Sequence, residues 1–177
     1  MRLFVAIDIS REVQNNLSAL LQRLRPAAKL QWSPIQNLHV TTKFIGEWPE
    51  ERLEEMKKTL TQVPASGAFD ISIRGLGWFP NPRSPRVFWA GVDGGEPLSA
   101  LAAATEAATA KSGVPRENRQ YSPHLTLARI RDRVPLEALR KAIAALSSDD
   151  FGSFRATAFV LYLSAGGKYT HLAEFPL

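Results

Sequence analysis

Residues 37–46 read NLHVTTKFIG and residues 122–130 read SPHLTLARI. Each stretch sets a histidine two residues before a threonine within an otherwise apolar, strand-like run, and the chain holds only three histidines. Successive side chains of a strand point to opposite faces, so His39 and Thr41 share one face while Val40 and Thr42 share the other. The same alternation pairs His124 with Thr126. The two histidines lie 85 residues apart (124 − 39), close to half of the 177-residue chain, a spacing that points to an internal repeat.

The surroundings repeat coarsely. Arg2 to Ile9 reads as an apolar strand, Ser10 as a helix N-cap, and Val13, Leu17, Leu20, Leu21 and Leu24 recur at helical spacing until Pro26. The HVTTKFIG strand follows. Pro49, Glu50 and Glu51 then open a second helix, with Leu53, Met56 and Leu60 inward and Lys57 and Lys58 near its negative end. Phe69 to Ile73 reads as a strand. After the turn-rich NPRSP, the second half begins with a strand from Arg86 to Val92. An Ala-rich helix from Glu96 to Lys111 is closed by Ser112 and Gly113, and the HLTLARI strand comes next. Leu136, Leu139, Ile143 and Leu146 mark a last helix after Pro135. Strands from Phe154 to Leu163 and Tyr169 to Phe175 flank a Gly166-Gly167 turn. Both halves thus read strand, helix, histidine strand, helix, strand. The expected fold is α+β and bilobal within one domain spanning 1–177: two pseudo-symmetric lobes, each with a small, mostly antiparallel sheet and outer helices, and a cleft between them.

Composition bounds the chemistry. The chain has no cysteine, which excludes disulfides, iron–sulfur clusters, thiolate zinc sites and cysteine nucleophiles. No window approaches the ~18 apolar residues of a membrane span. The opening MRLFVAIDIS is too short for a secretory signal and reads as the first strand. The expectation is a soluble, cytoplasmic monomer. Lys and Arg total 22 against 17 acids, a net charge of +5 that suits a polyanionic partner. The arginines cluster: Arg74, Arg83 and Arg86 flank the Pro-rich turn, and Arg116, Arg119, Arg129, Arg131 and Arg133 surround the second histidine.

If the lobes face one another, two imidazoles and two hydroxyls converge on one cleft. An imidazole titrates near ~6.5, so a pair can hold one neutral and one protonated ring near neutral pH. Opening a cyclic phosphodiester by water needs such a pair. One ring takes the proton of the attacking water while the other protonates the leaving ribose oxygen on the opposite side of phosphorus. Threonine hydroxyls suit the non-bridging oxygens. No metal is logically required, and spacing alone does not assign which ring is acid and which is base.

These motifs, with RLFVAIDIS, W-x4-NLHVTTKFIG, GLGWFPNPRSPRVFWAGV and LYLSAGGKYTHLAEFPL, resemble the two-histidine phosphoesterase superfamily over nearly the whole chain. Within it the chain is similar to the RNA 2′,3′-cyclic phosphodiesterase branch, the LigT-like or ThpR-like proteins historically called 2′-5′ RNA ligases. The resemblance implies a bilobal fold and cofactor-free, metal-independent hydrolysis of RNA 2′,3′-cyclic phosphate ends or cyclic nucleotides to 2′-phosphates. It further implies HxTx motifs at 39–42 and 124–127, with His39 as proton donor, His124 as proton acceptor, and Thr41, Thr126 and Arg129 on the phosphate. The reverse 2′-5′ joining reaction is the microscopic reverse. Thr42 departs from the leucine common in the family and, pointing away from the cleft, bears on packing.

Other residues with suitable chemistry have blander roles open to them. His171 has no threonine two residues on and, with Tyr169 and Phe175 on its side, reads as a sheet-surface histidine. Arg129 lies five residues after His124, so simple alternation sends it to the opposite face unless a bulge re-aims it. Lys43 reads as a solvated strand-end lysine. Phe44, Trp32 and Tyr121 have the chemistry to stack on a base but read as packing. Gly75 and Gly77 lack the rest of a phosphate-loop fingerprint and read as a turn. Two other functions compete: an RNA or nucleotide binding module without turnover, and a histidine metallohydrolase, for which neither motif supplies the carboxylates.

Overall fold

A computed structural model describes all of residues 1–177. Strand β1 (Arg2–Asp8) leads into α1 (Arg11–Leu24), a two-residue strand β2 (Gln31–Trp32), β3 (His39–Glu47) and α2 (Leu53–Thr61). The long β4 (Phe69–Phe79), β5 (Val87–Asp93), α3 (Gly95–Lys111) and β6 (His124–Arg129) follow, and α4 (Glu137–Ala144), β7 (Asp150–Ala156), β8 (Ala158–Ala165) and β9 (Lys168–Pro176) complete the chain. Helix α1 starts where expected: the Ser10 hydroxyl accepts the Val13 N–H at 3.2 Å, and Val13, Leu17, Leu20, Leu21 and Leu24 are its buried stripe. No helix is long and apolar enough to cross a membrane.

The strands form two antiparallel sheets, ordered β3-β1-β8-β9 and β2-β6-β5-β4-β7. The α+β, two-lobed expectation holds, but the lobes are not the two halves of the chain. The terminal hairpin β8–β9 completes the first sheet, while β4 from the first half sits in the second. The helices exchange as well: α1 packs on β7 and α4, whereas α3 packs on β3 and α2. In this interleaved plan β3 corresponds to β6, β1 to β5, β8 to β4 and β9 to β7, with β2 an extra edge. One cluster of 33 buried residues, including Ile7 and Leu161 from the first sheet and Ile71, Phe88 and Leu125 from the second, lies beneath both. A smaller cluster of Phe4, Ala6, Val160 and Tyr162 covers the other face of the first sheet.

Three local expectations are corrected. The apolar run read as one strand from Phe154 to Leu163 breaks at Thr157 into β7 and β8, which join different sheets. Gly75 and Gly77 lie inside β4, where a register shift between Ile73 and Leu76 bulges the strand and Gly75 adopts φ +82°. A further register shift, between Leu161 and Tyr162 on the β8–β9 ladder, separates Phe175, which is buried, from His171, which is exposed and perpendicular to the ring of Tyr162. The Gly166-Gly167 turn is as read, with both residues at positive φ as a tight two-residue hairpin requires.

Candidate active site

His39 opens β3, His124 opens β6, and both line one cleft of about 790 Å³ between the lobes. Thr41, Thr126 and Arg129 line it too. Arg129 reaches it because β6 is bulged: Trp89 pairs with Thr126 and Phe88 with Ala128, leaving Leu127 as the extra residue. A bulge resets the alternation, so the residue five places after the histidine returns to its face. The other motif carries the same defect, with Ala6 opposite Thr41, Val5 opposite Lys43, and Thr42 extra. The Thr42 hydroxyl is buried and donates to the Val5 carbonyl at 3.2 Å, a local use for a hydroxyl at this position. Phe44 thereby occupies the position equivalent to Arg129. It lines the cleft and is 63% exposed, not packed away as the sequence suggested. A pseudo-symmetric pair of bulges thus sets an aromatic ring on one wall and a guanidinium on the other.

The two imidazoles are held alike. Nδ1 of His39 bonds the Asn37 carbonyl at 3.1 Å, and Nδ1 of His124 bonds the Ser122 carbonyl at 2.9 Å. A carbonyl only accepts, so each Nδ1 carries the proton and each neutral ring keeps its lone pair on Nε2. The environments of the rings differ. His124 is exposed, while the His39 side chain is only 11% exposed, with Tyr162 4.6 Å and Tyr169 6.0 Å away between ring centroids. Burial pulls the His39 pKa below its ordinary value, against the Asp8 carboxylate, 3.4 Å from Nε2, and the Asn37 carbonyl, which favour the charged ring. Asp8 also accepts a hydrogen bond from the Tyr162 hydroxyl, whose pKa is pushed up by burial and by Asp8.

Each threonine is braced by the segment leading into the other motif. Tyr121 donates to the Thr41 carbonyl at 2.8 Å, and the Ser33 hydroxyl donates to the Thr126 carbonyl at 2.8 Å. Burial keeps the Tyr121 phenol protonated by raising its pKa. Lys43 is not solvated: its side chain is 1% exposed and reaches Glu106 at 2.9 Å and the Pro115 carbonyl at 3.0 Å. Glu106 in turn accepts the Glu117 N–H at 2.8 Å, so the pair pins the start of the segment that carries Tyr121 and ends at His124. Desolvation raises the Glu106 pKa, but its bonds to Lys43 and to Glu117 outweigh this and hold it below the ordinary value.

Of the clustered arginines only Arg119 and Arg129 line the cleft. Arg74 pairs with Asp150 at 3.4 Å, and Arg86 reaches the Arg131 carbonyl at 3.5 Å. Trp32 lies at the cleft with its indole N–H on the Ala28 carbonyl at 3.0 Å. No three His, Cys, Asp or Glu side chains gather as a metal-holding set. Asp8 was legible in principle, since an antiparallel β1–β3 ladder sets it opposite His39. Ser33 and Glu106 carry no motif of their own, and Asn37 acts through a main-chain carbonyl that any residue supplies.

A two-lobed fold with one HxTx strand from each lobe on a shared cleft is the architecture of a two-histidine phosphoesterase, and the chain belongs to the 2′-5′ RNA ligase superfamily, whose profile matches residues 13–168. Its relatives carry a more particular name. The chain is 33% identical over 183 residues to the RNA 2′,3′-cyclic phosphodiesterase of Methanothermobacter thermautotrophicus, covering 100% of this chain and 99% of that protein. It is 34% identical over 161 residues to the protein of that name from Archaeoglobus fulgidus, covering 91% and 89%. Among solved structures, TT0787 of Thermus thermophilus superposes with a TM-score of 0.80 at 30% identity, covering 100% of this chain and 98% of that one. E. coli LigT complexed with 3′-AMP superposes with a TM-score of 0.76 at 27% identity, covering 99% and 97%.

Proposed function

We propose that this protein hydrolyses the 2′,3′-cyclic phosphate end of RNA to a 2′-phosphomonoester, as an RNA 2′,3′-cyclic phosphodiesterase, with both proton transfers carried by imidazole. The observation that carries the reading is the matched tethering of His39 and His124 on one cleft, each with Nδ1 fixed and Nε2 left as the working nitrogen. In this reading Nε2 of exposed His124 takes a proton from water as the water oxygen bonds to phosphorus. The P–O3′ bond breaks in line, and Nε2–H of His39 protonates the departing O3′. Arg129 and the Thr41 and Thr126 hydroxyls hold the non-bridging oxygens, whose charge grows on the way to the transition state. The product keeps its phosphate on O2′, and a proton returns from His124 to His39 through solvent.

Burial makes the acid role of His39 depend on company. Asp8 favours the imidazolium, and the anionic phosphodiester arriving beside the ring adds a second negative charge, so the substrate helps to charge its own proton donor. Phe44, exposed on the opposite wall from Arg129, offers a face for the terminal base. The names of the relatives and the 3′-AMP bound to E. coli LigT agree with a nucleotide phosphate in this cleft.

The test is to incubate the protein, with excess EDTA, with a short RNA ending in a 2′,3′-cyclic phosphate. The expected product is the 2′-phosphate, released with multiple turnovers. Tight binding without turnover would make the protein a binding module, and loss of activity in EDTA would move the chemistry to a metal.

A further inference from the structure

The cleft does not end at Arg129. A second, smaller groove of about 380 Å³ runs along the free edge of the second sheet, lined by Lys29, Gln31, Arg129, Ile130, Arg131 and Asp132 among others. Gln31 and Arg129 belong to both hollows and face each other across the β2–β6 ladder, so the groove opens directly from the candidate active site. Lys29, Arg129 and Arg131 are exposed, and none of them is in an ion pair. Two more cations lean on its frame through main-chain carbonyls: Arg25 on Ser33 at 3.1 Å and Arg86 on Arg131 at 3.5 Å. One acid, Asp132, lines the groove. On another wall of the cleft the charges balance, with Glu106 held in an ion pair by Lys43 and Glu117 accompanied by Arg119.

We infer that this groove is the path of the RNA chain away from its reacting end, Lys29 and Arg131 taking backbone phosphates on the 5′ side of the nucleotide held in the cleft. The inference rests on the cyclic-end reading above. Unpaired, exposed cations grip phosphates without reading sequence, and each contact releases condensed counterions. Arg129 stands at the joint and serves the reacting phosphate. Lys29 and Arg131 lie beyond it, so they touch only substrates longer than one nucleotide. The protein then grips a polynucleotide and not merely its tip, and it does so on one side.

The experiment compares wild type with Lys29→Ala/Arg131→Ala, and with Lys58→Ala/Lys111→Ala, which removes the same charge from exposed positions on α2 and α3. Two ligands are used, a ten-nucleotide RNA with a 2′,3′-cyclic end and 2′,3′-cyclic AMP, over a range of salt. Binding of the labelled RNA is read by fluorescence anisotropy and turnover of both by product release. Losing two single-strand phosphate contacts should flatten the log–log salt slope for RNA binding by about 1.4, at about 0.7 each, and raise the RNA KM. Turnover of 2′,3′-cyclic AMP should stay at the wild-type level, and the α2/α3 variant should keep the wild-type slope. An unchanged slope and KM for RNA in the groove variant would overturn the inference, as would an equal rise in KM for cyclic AMP. The cyclic-end reading fails separately, if wild type turns over neither ligand, and the anisotropy arm then still decides whether RNA lies in the groove.

Discussion

Removing one member of the Lys43–Glu106 pair is the perturbation whose cost follows most directly from the geometry. Lys43 is 1% exposed and has two partners, Glu106 and the Pro115 carbonyl, whereas the Glu106 side chain is 20% exposed and keeps the Glu117 N–H if Lys43 is lost. Glu106→Leu therefore strands an ammonium in the interior with one carbonyl, which costs about 3–5 kcal/mol. Lys43→Met leaves a carboxylate that water reaches and an N–H still satisfies, for a cost of about 1–3 kcal/mol. In a chain of this size the first figure corresponds to a fall in Tm of about 6–20 °C, at about 2–4 °C per kcal/mol. The double variant Lys43→Met/Glu106→Leu, with apolar groups on both sides, should be more stable than Glu106→Leu alone. Urea unfolding followed by far-UV circular dichroism on all four proteins closes the cycle. Two single variants that each cost under about 1 kcal/mol, or a double variant equal to their sum, would refute the claim that this pair is buried and coupled.

The pH dependence of stability should carry the signature of His39. Its folded pKa lies below the ordinary ~6.5, so within that window the unfolded chain binds more protons than the folded one, and stability rises with pH. The contribution is complete above about pH 6.5 and is lost as pH falls through the folded value; His39→Gln should flatten that part of a plot of urea midpoint against pH. Asp8→Asn removes the charge that opposes burial, so it should lower the His39 pKa further and move the alkaline limb of kcat/KM to lower pH; a limb that stays in place would separate Asp8 from His39. Gly91 pairs with His124 on β5, and a Cβ there would lie 2.2 Å from the Arg74 carbonyl oxygen. Gly91→Ala should cost about 1–3 kcal/mol by overpacking and slow turnover by displacing β6, and a variant with wild-type Tm and rate would contradict that crowding.

The two histidine strands, the Ser10 cap with its buried stripe and the Gly166-Gly167 hairpin were legible because each is written in neighbouring residues. The partition into lobes was not. Which strand completes which sheet is decided by pairings between residues over a hundred positions apart, such as Phe4 with Tyr162, and local alternation is the same in either sheet. The break at Thr157 was hidden for a related reason: Phe154, Ala156, Ala158, Val160 and Tyr162 continue a single alternation straight across it. Sequence alternation brought His39, Thr41, His124 and Thr126 to one side, but it could not carry Phe44 or Arg129 there. A bulge is a single unpaired residue with no composition of its own, and here two of them, at Thr42 and Leu127, restore both side chains to the cleft. Lys43 was misread because its partner, Glu106, arrives from the middle of α3, 63 residues on.

The division of labour between the two imidazoles is tested most directly by changing the leaving atom. A cyclic substrate with sulfur in place of the 3′ bridging oxygen departs as a thiolate, which needs no proton because a thiol ionises near ~8.5. On the ordinary oxygen substrate, His39→Ala and His124→Ala should each lose about 10²- to 10⁴-fold in rate. On the sulfur substrate, His39→Ala should recover to near the wild-type rate while His124→Ala stays slow, since water must still be deprotonated. Recovery of His124→Ala instead would exchange the two roles, and recovery of neither variant would contradict proton donation to the leaving oxygen by His39.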